Sequence, residues 1–314
     1  MKLSIVITTR DRYEDLISCL TSITVSINIK FKYEIIVVDD NSIDKTINLD
    51  NDHFKFNYFK IIHNNEQKMM VKSRNIGAKI AHGELILFID DDNIIDNNMI
   101  SKLVLEADEN PEYGILGPKM SYYPNKKPYL SSQKINLYTG KTSGKIIHSS
   151  NSIINSDGIP NVFMVRKKVL DECGFFDEKI VQTYTEPDLA FAARKIGYLC
   201  GVVNNAHTYH KNPVIRSSVH YGGNQFYQKA FFLMRNRTVM VVRYGKWYQQ
   251  IIYLIIFSLF WPISYSILVL KEKRIDLIKL YWLGYVAGIK FFFTRNLPNP
   301  DEIINELKII LKYK

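Results

Sequence analysis

The chain has 314 residues, 46% hydrophobic and 23% charged, which is ample for a sizeable core and excludes a disordered or low-complexity chain. The net charge of +10 is uneven: residues 1–230 carry 28 Lys/Arg against 26 Asp/Glu, and residues 231–314 carry 13 against 5. A nucleic-acid binder would need its basic excess on the folded part, which is nearly neutral here, so nucleic acid is excluded as a partner.

In chain order, Leu3–Thr8 reads as a buried strand, and Arg12–Ser26 as a helix with Leu16, Leu20 and Ile23 on one face. Leu3–Thr9 is too short for the apolar core of a signal peptide, and Arg10 and Asp11 follow it at once. Glu34–Val38 is a strand ending in Asp39-Asp40, and Phe56–Ile62 another strand with rough alternation. Met69–Ala81 has a helical pattern, and Gly83 suits its C-terminal end. The apolar run 85–89 is a strand that opens onto Asp90-Asp91-Asp92. A helix from about Asp96 to Glu109 and a strand at Tyr113–Lys119 follow. Strands separated by helices predict an α/β fold with a mostly parallel sheet and flanking helices. Ligands in such sheets bind at the carboxyl ends of strands, where Thr8-Thr9-Arg10, Asp39-Asp40 and Asp90–Asp92 all fall.

Three adjacent carboxylates repel one another unless a cation joins them. A hard divalent ion shared with a substrate phosphate is one solution. A polar turn completed by Asn93 is the other.

Residues 121–160 are polar and read as an irregular segment or hairpin. Val162–Val165 is a strand. Glu186–Gly197 is a helix with Leu189, Ala192, Ala193 and Ile196 on one face, and Tyr198–Val203 is extended. His207 and His210 follow, each either a ligand or a structural histidine. Pro187 suits a first helical position, which places Glu186 at a helix N-terminus, as a cap or as an ionised base. Asp188 is the fallback base, or else part of the first helical turn.

Residues 251–270 contain no charge. At about 1.5 Å per residue they match a bilayer core of about 30 Å, with Pro262 expected to kink the helix. Leu280–Ile289 is a second uncharged stretch, too short to span alone. Lysines and arginines flank the first stretch on both sides, so orientation stays open between a spanning helix and an in-plane pair. A buried helix pair is the soluble alternative. The residues after Pro300 are amphipathic, with Ile303, Ile304, Leu307, Ile310 and Leu311 on one side. Two domains follow: residues 1–230, and a basic, apolar helical region over 231–314 that contacts a membrane surface through 247–293. Cys19, Cys173 and Cys200 fit neither a zinc spacing nor a disulfide framework, which suggests a reducing compartment.

Residues 3–10 (Leu-Ser-Ile-Val-Ile-Thr-Thr-Arg) followed by 37–44 (Val-Val-Asp-Asp-Asn-Ser-Ile-Asp) resemble the opening of family 2 glycosyltransferases of the GT-A, Rossmann-like fold. Lys72-Ser73-Arg74-Asn75-Ile76-Gly77 is similar to that family's Arg-Asn-x-Gly helix, and Phe88–Asp92 to its DxD element. Gly174–Glu178 and Glu186–Leu189 with Arg194 resemble its acceptor-side base region. Arg235-Asn236-Arg237 is similar to the rhamnosyltransferase-like branch. The resemblance implies sugar transfer with inversion, from a nucleotide-sugar donor to a lipid-linked or glycan acceptor, with Mn2+ or Mg2+ as cofactor. It implies that Thr8, Arg10 and Asp40 line the nucleotide pocket and that Asp39 takes the base edge or ribose. Asp90 would contact ribose or sugar with Asp91 beside it, Asp92 and His210 would hold the metal, and Arg74 and Asn75 would face the phosphates. Glu186, or else Asp188, would be the base. The enzyme would sit on the cytoplasmic face of the cell membrane, and a homo-oligomer is compatible with this reading. A nucleotidyltransferase should carry a Gly-rich phosphate loop, and Thr8–Arg12 has no glycine. A non-catalytic membrane scaffold should lack the carboxylates that are present here.

Overall fold

A computed structural model describes residues 1–26, 31–52, 54, 56, 58–211 and 228–311. The elements run β1 (Leu3–Thr9), α1 (Tyr13–Ser26), β2 (Tyr33–Asp39), β3 (Phe59–His63), α2 (Met69–Ile80), β4 (Leu85–Asp90), β5 (Asn93–Ile95), α3 (Met99–Glu109) and β6 (Tyr113–Tyr122). Then come β7 (Pro128–Leu130), β8 (Ser132–Asn136), β9 (Lys141–Lys145), β10 (Ile153–Asn155), β11 (Val162–Arg166), α4 (Lys167–Cys173), α5 (Thr185–Lys195) and β12 (Leu199–His210). The C-terminal part holds α6 (Gln228–Tyr244), α7 (Trp247–Ile252), α8 (Ser258–Lys271), α9 (Asp276–Thr294) and α10 (Pro300–Leu311).

The chain forms two compact units. The first comprises residues 1–134, 143–177 and, among those described, 189–211; the second comprises 135–142, 178–188 and 228–311. The hairpin β8–β9 and helix α5 contribute to both, so that the first turn of α5 counts with the second unit.

The first unit is built on one mixed sheet in the order β10-β12-β6-β11-β4-β1-β2-β3, with β5 on β12 and β7 on β6. Strands β3, β2, β1 and β4 are parallel, whereas β11 runs antiparallel to β4 and β6. The near-continuous apolar runs of β1, β2 and β4 are buried, as a parallel sheet covered on both faces requires. Leu16, Cys19, Leu20 and Ile23 of α1 join Ile5, Ile7, Val37 and Leu87 in this core. None of the three cysteines forms a disulfide: Cys19 and Cys200 are buried and Cys173 is half-buried. Burial pushes both buried thiols up, that of Cys200 to about 12.

Several expected boundaries moved for local reasons. The helix expected from Asp96 begins at Met99, because Asn98 adopts a left-handed conformation (φ 61°). The third strand is displaced toward His63, in register with β2 from Ile35 opposite Phe59. Residues 121–160 contain β7, the β8–β9 hairpin and β10. Ile196, expected on the apolar face of α5, lies beyond the helix end and is 41% exposed. Gly83 does not cap α2, which ends at Ala81 in an extended conformation. It is required by close packing: a Cβ there would lie 2.4 Å from the Ser4 nitrogen and 2.7 Å from the Leu85 oxygen. Those neighbours are backbone atoms of the central sheet and cannot step aside. Gly83→Ala is therefore expected to cost on the order of 3 kcal/mol, read as a fall in the denaturant midpoint.

In the second unit, residues 247–271 are helical throughout, with a π-helical turn at Tyr253–Phe257 and Pro262 inside α8. The uncharged stretch 280–289 lies inside the longer helix α9, which runs for 19 residues. By length and composition 247–271 and α9 could each cross a membrane. Ile303, Ile304 and Leu307 of α10 are buried. The side chains of Ile310 and Leu311 lie outside the described residues.

Candidate active site

Sheet register gathers the strand-end residues. Thr8 of β1 lies opposite Val38 on one side and Asp90 on the other, and Thr9 lies opposite Asp39. β12, paired with β5, brings His210 opposite Asn93, so His210 arrives beside Asp92.

The three aspartates have different surroundings. Asp90 accepts 2.6 Å from Arg74 Nη2. Arg74 is 1% exposed and stacks on the rings of Phe163 and Phe176. Asn75 is also buried and exchanges two hydrogen bonds with the Phe176 backbone. Neither side chain is thus the open phosphate contact that was expected: Arg74 fixes Asp90, and Asn75 fixes the segment after α4.

Asp91 accepts from Thr9 Oγ1 at 2.7 Å and from Arg12 Nη1 at 3.1 Å. Burial outweighs the Arg12 charge and pushes its carboxyl up to about 7. The folded value exceeds the unfolded 3.8, so between those values the native state holds a proton that the unfolded chain releases. Stability therefore falls as pH rises through that window. Asp91→Asn should abolish this slope. Without divalent cation, the stability of the variant relative to wild type is expected to rise by on the order of 2 kcal/mol from pH 5 to pH 7, by urea melts at each pH.

Asp92 accepts from Arg12 Nη1 at 2.9 Å and from Asn93 Nδ2 at 3.1 Å, and lies 3.3 Å from His210 Nε2. Burial alone would raise Asp92, yet His210 and Arg12 together hold it below the usual carboxylate range. Tyr129 lies near the His210 ring and stacks on Tyr122. His207 is in register with Lys119, and burial together with that lysine lowers its pKa.

Asp39 and Asp40 also diverge. Asp39 accepts from the Ser42 amide and hydroxyl through one oxygen and faces His63 Nδ1 at 2.8 Å through the other. Asp40 accepts from the Lys68 and Met69 amides, Asn64 and Ser73. Its carboxylate is thus committed to starting α2. Arg10 pairs at the surface with Asp11. The basic residue that reaches Asp91 and Asp92 is Arg12, which sequence reasoning missed together with His63, while Thr9 was placed at the strand end without a role. One usable signal was electrostatic: Asp90–Asp92 need a fixed cation, and Arg12 stands just beyond β1.

Among the described residues, no group of three or more His, Cys, Asp or Glu side chains could hold an ion unaided. Asp92 and His210 offer an oxygen and a nitrogen from two strand ends, which fits an ion that takes its remaining ligands from a bound diphosphate.

Glu186 and Asp188 lie in the second unit, in the first turn of α5. Glu186 accepts from Thr185 Oγ1 at 2.6 Å, and its charge acts on the half-buried ammonium of Lys229. Asp188 is gripped by Arg243 Nη1 through both oxygens at 3.1 Å and by the Tyr244 hydroxyl at 2.9 Å.

The family Glycosyl transferase family 2 matches residues 4–174, more than half of the chain. The chain belongs to glycosyl transferase family 2. Its GT-A fold is shared by S. aureus TarS residues 1–349, with TM-score 0.62 and 17% identity over 100% of this chain and 86% of that one. GalNAc-T7, solved with UDP, GalNAc and Mn2+, is similar with TM-score 0.60 and 14% identity, over 96% and 58% of the two chains. Among curated relatives, the poly(ribitol-phosphate) beta-glucosyltransferase of Bacillus spizizenii is 38% identical, over 37% of this chain and 19% of its own length. Glycosyltransferase GlyG of Streptococcus pneumoniae is 30% identical, over 28% and 30%. The match thus covers less than a third of the length of either of these relatives.

Proposed function

We propose that the protein transfers a sugar from a nucleoside-diphosphate donor to a hydroxyl of a lipid-linked or polymeric glycan, with inversion at the anomeric carbon. One observation carries this reading: strand register brings Thr8, Asp39 and Asp90–Asp92 to one end of the sheet, with Arg12 and His210 beside Asp92. Structural neighbours solved with UDP, UDP-GlcNAc or GDP-Man and Mn2+ support the donor class. Asp39, fixed by Ser42 and His63, would meet the base or ribose if His63 yields its oxygen on donor binding. Asp90, held by Arg74, faces ribose or sugar. Asp92 and His210 would hold a divalent cation, Mn2+ suiting the imidazole better than Mg2+. Such an ion stabilises the charge that develops on the departing diphosphate. Arg12 balances the remaining charge on Asp91 and Asp92, so the site is not left as three bare carboxylates.

Glu186 would take the acceptor proton as it attacks from the face opposite the leaving group. Asp188 is less suited, because Arg243 and Tyr244 occupy both of its oxygens. Such an enzyme would act at the cytoplasmic membrane face; the apolar helices of the second unit support membrane contact, and three cysteines without a disulfide framework suit a reducing compartment. A thermal-shift panel of nucleotide sugars with and without Mn2+ tests the donor assignment. A Mn2+-dependent rise in melting temperature is expected for one nucleotide class. No rise with any UDP-, GDP-, dTDP- or CDP-sugar would reject it.

A further inference from the structure

We infer that the second unit lies in the plane of an anionic bilayer surface and that neither of its long apolar helices crosses it. This rests on the membrane reading above and adds the mode of attachment. The helix over 247–271 presents Trp247, Ile251, Ile255, Leu259, Ile263 and Ile267 outward as a winding stripe, each at least 42% exposed, with Ile256, Phe260, Leu268 and Leu270 exposed beside it. Twenty-five helical residues extend about 37 Å, an apolar surface far longer than a soluble monomer normally shows to water.

The stripe is bracketed by charge. Lys246 is exposed just before Trp247, and Lys271, four residues beyond Ile267, is exposed at the other end. Residues 231–314 carry a net +8. A tryptophan and lysines at both ends of an apolar stripe suit a helix lying along anionic headgroups.

The packing of α6 decides between lying and crossing. Gly284 brings α9 against α6 so closely that a Cβ would sit 2.2 Å from the Phe231 carbonyl oxygen. Tyr253, just before α8, bonds Thr238 of α6, and Trp261 and Tyr265 of α8 lie against Arg237 of α6. The same helix α6 holds Arg235, Asn236 and Arg237 buried. Asn236 donates to the Val181 and Thr183 carbonyls at 2.9 Å, Arg235 to that of Lys179, and Arg243 grips Asp188. Driving either apolar helix across a bilayer as folded would draw α6, its three arginines and the 178–188 segment into hydrocarbon. The outward stripe can enter the interface with none of that.

Flotation of the full chain with sealed vesicles is the test, using phosphatidylcholine alone or with 30% phosphatidylglycerol. Binding is expected only with the anionic lipid, released by alkaline carbonate, with residues on both sides of 247–271 open to trypsin. Ile255→Glu with Ile263→Glu should cut the bound fraction by about tenfold while nucleotide-induced thermal shifts persist. Carbonate-resistant binding with one flank protected would overturn the in-plane inference and leave membrane attachment standing. Absence of binding to either vesicle would overturn both, as would a stripe buried in a stable dimer that the double variant dissociates.

Discussion

Asp92→Asn is expected to lower kcat/KM for sugar transfer by at least about a hundredfold at saturating Mn2+, leaving the folded state intact. The substitution keeps volume and one carbonyl oxygen, and the Asp92 main-chain carbonyl still accepts from the Lys211 amide at 2.8 Å. Arg12 keeps Asp91 as its partner. What disappears is the full charge that would hold a divalent ion at the mouth of β4. Calorimetric titration of the donor nucleotide with and without Mn2+ separates the causes. The variant should bind nucleotide weakly and identically in both, whereas wild type should tighten with metal. Retention of full turnover and of the Mn2+ effect would remove Asp92 from the metal site.

Glu186→Gln should show the other signature: donor affinity unchanged and kcat down by about 10²–10⁴-fold, the usual range for loss of a positioned base. Asp188→Asn is the informative comparison. Asp188 neutralises Arg243 and accepts from Tyr244. Losing that charge removes the carboxylate that pairs with a mostly buried guanidinium, at a cost of about 3 kcal/mol. Its principal effect should therefore be a lower melting temperature. A fully stable, inactive Asp188→Asn alongside an active Glu186→Gln would transfer the base role to Asp188.

Much of the first unit was legible because its strands are short apolar runs that end in polar clusters. β1, β2 and β4 were found within a residue or two, and from them the level of Thr8, Asp39 and Asp90. What sequence patterns could not convey was which polar residue serves which neighbour. Asp40 looks like Asp39 on paper, yet it anchors the N-terminus of α2, because the turn before that helix leaves two amides needing an acceptor. Arg74 stands on a helix with ordinary polar neighbours, and its burial against Phe163 and Phe176 depends on a strand and a bend far along the chain. Gly83 carries the same lesson in backbone form. Its meaning lies in how near Ser4 passes, which no local signal encodes. Arg12 was hidden by its neighbour Arg10, since one turn of chain separates a surface arginine from one that reaches two carboxylates.

The placement of the three cysteines supplies a clock for opening of the first unit. Thiol reagents attack the thiolate, so Cys19, sealed beneath the carboxylates, and Cys200, inside the opposite half of the sheet, should remain silent while Cys173 reacts first. The delay before the second and third labels appear then measures how often each half of the sheet comes apart, and whether a bound nucleotide slows one half more than the other.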